Sequence, residues 1–557
     1  MAGRGSWTRA ILRAALLSAV LWLPGKSLFA VSCSVVKHPA PSLADMALLG
    51  AEYEQAAVLY RAGLRGHPGD AELTMGLVHA LLHEQKIQEA ADAVKASLAV
   101  APNSAALITL RGEVELREGT PWIADHSAVE AARLDPCNPR TRLLLADLDH
   151  ISSLFASSRK ELEVAHRLDP DDPEIRREWI HTLTLQERIA ETEAYLAAPR
   201  GDDEEDLFRW RLYLANLKKM VAEPHKACHL VSPAASTEIP FAVFMRDPMH
   251  IAAFGLEAKL NGRSARLEID TGADGLVVSH SAAEHAHLKS FSQTQMTGVG
   301  DQADKLGYTA YADSIRIGNL EFQDCAVRVL DSKSSLDEID GLIGMDVFSH
   351  FLVTLDYPMR KLQLGPLPPR PGEAAVAAPS LKTSDVDRDD TVAPAPAQNG
   401  AAEKSDAHGP YDRYIAPEMK SYTPVYRVGH LLMLPAALNG QKIKLFALDT
   451  GAMATTISPE AAREVTKVRS SFGFDVKGIN GKVENVYAAD EVTFTFAHVS
   501  QKVQSVVSFD TSRISKDAGM EISGFLGANT LDQLTIHIDY RDGLVKFDYD
   551  PNRGYRY

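Results

Sequence analysis

At 557 residues the chain has room for three or four domains of roughly 150 residues each. Its 45% apolar and 24% charged residues are ordinary for a globular protein. The formal net charge of -16 argues against a nucleic-acid partner, which would need a basic face to neutralise phosphates.

Arg4, Arg9 and Arg13 precede the mostly apolar run from Ala14 to Leu23, followed by Pro24-Gly25 and then Ala30-Val31-Ser32. A basic start, a short apolar core and a small-residue site predict a secretory signal peptide over residues 1–32. A run of about ten is short for a membrane span, which needs roughly twenty. The protein is therefore expected to be exported, periplasmic or secreted, with an uncleaved N-terminal membrane anchor as the other reading. Cys33 resembles a lipoprotein acceptor, although Ala30 stands where leucine is expected. Cys33, Cys137, Cys228 and Cys325 are scattered without a C-x-x-C pair, which argues against a dense disulfide framework and against zinc spacings. Export permits a disulfide, and Cys228–Cys325 is one conceivable pair.

Downstream, Pro68, Pro102, Pro136 and Pro170 recur every 34 residues. Ala56, Ala90, Ala124 and Ser158 share that period, as do Gly63, Ser97, Ala131 and Ala165. Small residues at two fixed places per unit let paired helices approach closely, and the proline stops the second helix. The pattern resembles the tetratricopeptide repeat (TPR), as four units within a helical domain over 37–228, with 173–225 read as further capping helices. The resemblance implies a curved solenoid whose concave face holds a protein partner or simply spaces the next module.

From about residue 230 the helical period gives way to short Val/Ile/Leu/Phe-rich runs, predicting β-structure. Gly255–Leu260 reads as a strand, Asn261-Gly262 as a tight turn and Arg263–Asp270 as a second strand, and Leu432–Asp449 repeats the plan around Asn439-Gly440. Each second strand runs into Asp-Thr-Gly-Ala: Asp270-Thr271-Gly272-Ala273 and Asp449-Thr450-Gly451-Ala452. At nearly equal distances downstream stand Gly298-Val299-Gly300 and Gly478-Ile479-Asn480-Gly481, then Gly341-Leu342-Ile343-Gly344 and Gly524-Phe525-Leu526-Gly527. A short helical stretch and a terminal hairpin close each copy. Asp274, Asp340 and Asp346 have no acidic counterpart in the second copy and are read as solvated or turn residues.

The duplicated plan resembles retropepsins, half-sized aspartic proteases, over about 240–366 and 425–550. It implies two all-β lobes, 230–367 and 411–557, with one aspartate from each. Paired carboxylates about 3 Å apart cannot both ionise comfortably, so one polarises a water while the other donates a proton. The resemblance assigns Asp270 and Asp449 as catalytic and Thr271, Gly272, Ala273, Thr450, Gly451 and Ala452 as loop support. Gly298, Val299, Gly300, Gly478, Ile479 and Gly481 become flap candidates, and Gly341, Gly344, Gly524 and Gly527 the glycine element under the site. Ala273 and Ala452 replace the hydroxyl residue common in pepsin-like enzymes, predicting a less acidic dyad. No His-Glu-x-x-His or Gly-x-Ser-x-Gly motif is present, so neither a metal nor a cofactor is called for.

Residues 368–410, dominated by Pro, Ala, Asp and Gly, read as a disordered linker, long enough for the lobes to pair within one chain or as a homodimer. The expected function is an aspartic endopeptidase acting on peptide or protein substrates. The alternative is a non-catalytic peptide-binding or scaffold protein built from the same folds.

Overall fold

Proline spacing organises the first part of the molecule. The computed structural model describes residues 33–198, 200–247, 250–331, 339–371, 381, 412–470, 473 and 475–551. The expected signal segment and most of the expected linker lie outside them. Helices Tyr53–Gly66, Ile87–Val100, Pro121–Leu134 and Phe155–Leu168 each stop just before one of the four periodic prolines. The following helices, Ala71–His83, Ala105–Arg117, Pro139–Ile151 and Pro173–His181, are capped by Asp70, Ser104, Asn138 and Asp172. Each cap accepts a backbone N–H three residues on, at 3.0, 3.4, 3.1 and 3.0 Å. Caps of this kind satisfy donors that a helix start otherwise leaves unpaired. The small residues lie where helices touch: Ala56, Ala90, Ala124, Ala131 and Ala165 are wholly buried. Leu185–Leu196 and Glu204–Ala222 complete this helical region.

Both predicted hairpins form, His250–Leu260 with Arg263–Ile269 and Leu431–Leu438 with Lys442–Leu448. Their turns place Asn261 and Gly262 at φ 48° and 80°, and Asn439 and Gly440 at 50° and 66°. Two successive positive φ values are what a tight turn between right-twisted strands requires. Nine-stranded and eight-stranded sheets grow around these hairpins. The strand Gly341–Ile343 slots between Arg263–Ile269 and Leu276–Ser279, and Phe525–Leu526 lies parallel to Lys442–Leu448.

A six-stranded sheet joins the lobes. Phe351–Asp356 runs antiparallel to Leu534–Asp539, from Leu352 opposite Asp539 to Asp356 opposite Thr535. Phe351, Val353, Leu355, Ile536 and Ile538 are wholly buried there, within one apolar cluster that draws on both lobes. The lobes thus pair within a single chain. Of the stretch read as linker, Arg370 is ion-paired to Asp542 at 2.5 Å and Leu381 is buried in this cluster.

The helical region docks on the second lobe. Ala124, Ala128, Leu144 and Leu148 pack with Met433, Leu445, Met520 and Ile522, and the Glu521 N–H donates to the Arg117 carbonyl at 2.9 Å. The Asp412 carboxylate accepts the N–H groups of Ala156 and Ser157 at 2.9 and 2.8 Å, at the start of helix Phe155–Leu168. That helix end carries partial positive charge. The first helices of the repeat units line a cavity of about 330 Å³ closed by Lys516 and Gly519 of the second lobe. Much of the array's contact surface therefore serves its own chain.

Cys228 and Cys325 form a disulfide across 97 residues, and no free cysteine remains among the described residues. Disulfides fit an oxidising, exported environment. Closing so long a loop restricts the unfolded chain, so replacing both Cys228 and Cys325 by serine should lower stability by about 2–5 kcal/mol, read from the urea midpoint.

Candidate active site

Strand alternation aims the first aspartate. Leu267 and Ile269 point into the core, 0% and 1% exposed, while Glu268 and Asp270 share the opposite face. Each glycine element holds the loop that follows: the Asp270 N–H donates to the Ile343 carbonyl at 3.1 Å, and the Asp449 N–H to that of Leu526 at 3.0 Å. Asp270 Oδ1 accepts the Gly272 N–H at 2.8 Å. Asp449 Oδ1 accepts those of Gly451 and Ala452 at 3.0 and 2.9 Å.

The two carboxyl groups stand close together, each over the other loop's glycine. A methyl group on Gly272 would stand 2.9 Å from Asp449 Cγ, and one on Gly451 2.5 Å from Asp270 Cγ. Any side chain at either position would wedge the carboxyls apart. Beneath them the threonines cross over reciprocally. The Thr271 N–H donates to Thr450 Oγ1 and the Thr450 N–H to Thr271 Oγ1, both at 3.0 Å. Thr271 Oγ1 then donates to the Leu448 carbonyl at 2.7 Å and Thr450 Oγ1 to that of Ile269 at 3.0 Å. Each hydroxyl spends its single proton on the other lobe's strand and its lone pair on the other lobe's loop.

Burial raises the pKa of both aspartates, and for Asp449 the Asp270 charge raises it further. A proton held between two such carboxyls belongs to the pair. Two residues not singled out from sequence stand beside it. His430 Nε2 lies 2.9 Å from the Gly272 carbonyl, which can only accept, so that nitrogen carries the hydrogen. Glu268 feels the charge of Asp270.

The two glycine-bearing hairpins interlock. The Asn480 N–H donates to the Val299 carbonyl at 3.0 Å, and the Gln302 N–H to the Asn480 carbonyl at 2.9 Å. Gly298 faces Ile479, and Gly478 faces Val299 so closely that a methyl would stand 2.5 Å from its carbonyl oxygen. Gly300 and Gly481 take positive φ, 130° and 86°, at the two turns. Asp304 gathers four elements. Its carboxylate accepts from Thr297 at 2.8 Å and Gln295 at 2.7 Å on its own hairpin, from Asn480 at 3.0 Å on the other, and from Arg513. Arg209, on the last helix before the lobes, adds a contact at 3.6 Å. Burial opposes ionisation of Asp304, but these hydrogen bonds and Arg513 hold its carboxyl below the usual range.

Of the acids read as solvated or turn residues, Asp340 instead ties neighbouring strands, its carboxylate accepting the Arg266 N–H at 2.8 Å and its carbonyl the Ser279 N–H at 2.8 Å. Asp274 pairs with Arg328 at 2.6 Å. Asp346 departs from that reading: it is 1% exposed and accepts the Gly275 N–H at 3.1 Å, bracing the loop after the first aspartate. Its counterpart is Asn529, which accepts the Thr455 N–H at 2.7 Å. The second copy keeps the acceptor and drops the charge, so a comparison of acids alone passes over it. Gly341, Gly344, Gly524 and Gly527 all pack against backbone of the loops or strands they support.

Loss of the Asp304 hub should loosen the hairpins and leave the sheets intact. In Asp304→Ala, hydrogen exchange at the Asn480 and Gln302 amides should rise about five- to thirtyfold, the loss of one or two hydrogen bonds at about 1 kcal/mol each. Exchange along Leu431–Leu438 should stay unchanged. Thr450→Val, which removes two cross-lobe hydrogen bonds from a buried site, should cost about 2–4 kcal/mol in the same denaturant assay.

Residues 256–347 match the family model for aspartyl protease, and residues 48–114 match that for the tetratricopeptide repeat. No curated protein matches the chain. The first match runs from the first-lobe hairpin, through Asp270, to the turn after the glycine element. The chain carries an aspartyl protease domain at 256–347, preceded by a tetratricopeptide repeat region at 48–114.

Proposed function

We propose that the chain is an exported aspartic endopeptidase whose catalytic pair is Asp270 and Asp449. The observation that carries this reading is the close approach of two buried carboxyls from different lobes above reciprocal threonine bonds. With one proton shared, the ionised carboxylate takes a proton from water as the oxygen attacks the scissile carbonyl. The protonated partner gives its proton to the carbonyl oxygen, forming a tetrahedral diol. Proton transfer to the amide nitrogen then lets the C–N bond break, leaving acid and amine. Nothing covalent forms with the protein, and the pair ends with one proton, as it began.

The Thr271, Gly272, Ala273, Thr450, Gly451 and Ala452 loops hold the carboxyls, the paired hairpins exclude water once substrate is bound, and the glycine elements brace the loops from below. The repeat region positions the second lobe and presents its remaining surface to substrate or partner. The Cys228–Cys325 disulfide supports an exported location. Among the described residues no helix is long and apolar enough to cross a membrane.

In a monomeric preparation, Asp270→Asn and Asp449→Asn should each reduce peptide cleavage by more than about a thousandfold, since neither carboxyl alone can play both proton roles. Cleavage retained in either variant would defeat the reading, and a wild type that binds peptides without cutting them would favour the binding module. The raised dyad also sets a pH profile. The acid keeps its proton to higher pH than a free aspartate near 3.9 would, so the alkaline limb moves upward. Activity should persist above about pH 5, and an optimum under about pH 3 would contradict this.

A further inference from the structure

The duplicated lobes differ beside the catalytic pair. Two residues before Asp270 stands Glu268, and two residues before Asp449 stands Ala447. Both side chains lie on the face shared with their aspartate. Each is level with the apolar residue of the adjoining glycine element, Leu342 beside Glu268 and Phe525 beside Ala447. Leu342 is in turn level with Val277. Val277 packs with Met296 and with Ile479 from the second-lobe hairpin, so this face looks toward the interlocked hairpins.

On the second lobe the wall is closed and apolar. Ala447 is fully buried in a cluster with Phe525 and Met433, against which Val299 of the first-lobe hairpin packs. On the first lobe an acid interrupts the apolar surface. Among the described residues Glu268 has no hydrogen-bond or ion-pair partner. Arg266, the nearest cation along the strand, lies over the Phe244 ring at 4.6 Å. Burial and the Asp270 charge push the Glu268 carboxyl up to about 8, the behaviour of a group whose site supplies no compensating cation.

We propose that Glu268 is a specificity residue that selects a substrate with a lysine or arginine on the first-lobe side of the scissile bond. The chemistry matches the wall: the long apolar stem of such a side chain lies along Leu342 and Val277, and its cationic head meets the unpaired carboxyl. On the second lobe the matching position offers no such carboxyl: Ala447 is fully buried, in a cluster that also takes in Ala124 and Leu144 of the repeat helices. A symmetric pair of lobes would present the same chemistry on both sides of the bond. The Glu268–Ala447 difference makes the cleft directional.

This assignment rests on the protease reading, and one experiment separates them. Full-length protein is incubated with a complex peptide mixture and the termini created are sequenced, alongside Asp449→Asn, Glu268→Gln and Glu268→Ala. The expected result is Lys or Arg enriched at one position flanking the cut. For matched peptides carrying Lys or Leu at that position, the kcat/KM ratio should fall at least about tenfold in both Glu268 variants, the size of one charge-assisted hydrogen bond. Cleavage that depends on Asp449 but shows no basic preference, or keeps it in Glu268→Gln, overturns the specificity assignment and leaves the protease standing. Cleavage indifferent to Asp449→Asn, or a wild type that cuts nothing, overturns the protease reading and this assignment with it.

Discussion

Two carboxyl groups that repel when ionised stay together only if something else holds them. Here it is the reciprocal pair of threonine hydrogen bonds, in which each hydroxyl accepts from the opposite loop and donates to the opposite strand. The bonds are buried, so neither water nor an alternative partner replaces them, and losing one leaves polar groups stranded. The glycines follow from the same constraint, because the loops must approach closely enough that a methyl group would collide with the facing carboxyl. The shared sheet of Phe351–Asp356 and Leu534–Asp539 brings the lobes together over a much larger area and carries the bulk of the burial.

Duplication in a single chain frees the lobes from identity, and the molecule uses that freedom. Glu268 faces Ala447 in the alignment of the copies, Asp346 faces Asn529, and the helical region meets the lobes differently, with Pro121–Leu134 and Pro139–Ile151 on the second and Glu204–Ala222 on the first. The covering also explains why the repeat region is not simply an open docking groove. Its helices Pro121–Leu134 and Pro139–Ile151 bury apolar residues against the second lobe, while Arg209 reaches the hub under the paired hairpins. The helical region thus touches both lobes.

Much of this was legible from one dimension because it repeats. A 34-residue period survives in proline and small-residue columns, since a helix crossing tolerates little else. The paired Asp-Thr-Gly-Ala motifs, Asn-Gly turns and glycine elements are local chemistry: a positive φ or a close backbone approach restricts the residue type at that position. The N-caps Asp70, Ser104, Asn138 and Asp172 carry the same period and were equally available. Glu268 was visible too, as an acid on the aspartate's own face of an alternating strand.

Asp304, Arg513 and Arg209 carried no such mark. They come from three separate stretches, and each is an unremarkable polar residue until folding brings one carboxylate within reach of the others. The same holds for His430 beside Gly272. Sequence alone determined which residues had to be small, which had to turn, and that one β plan recurs, because those demands act within a few residues of each other. Only the tertiary structure decided that the two lobes share a sheet and which of their differences stand beside the aspartates, because those outcomes depend on contacts whose partners are hundreds of residues apart.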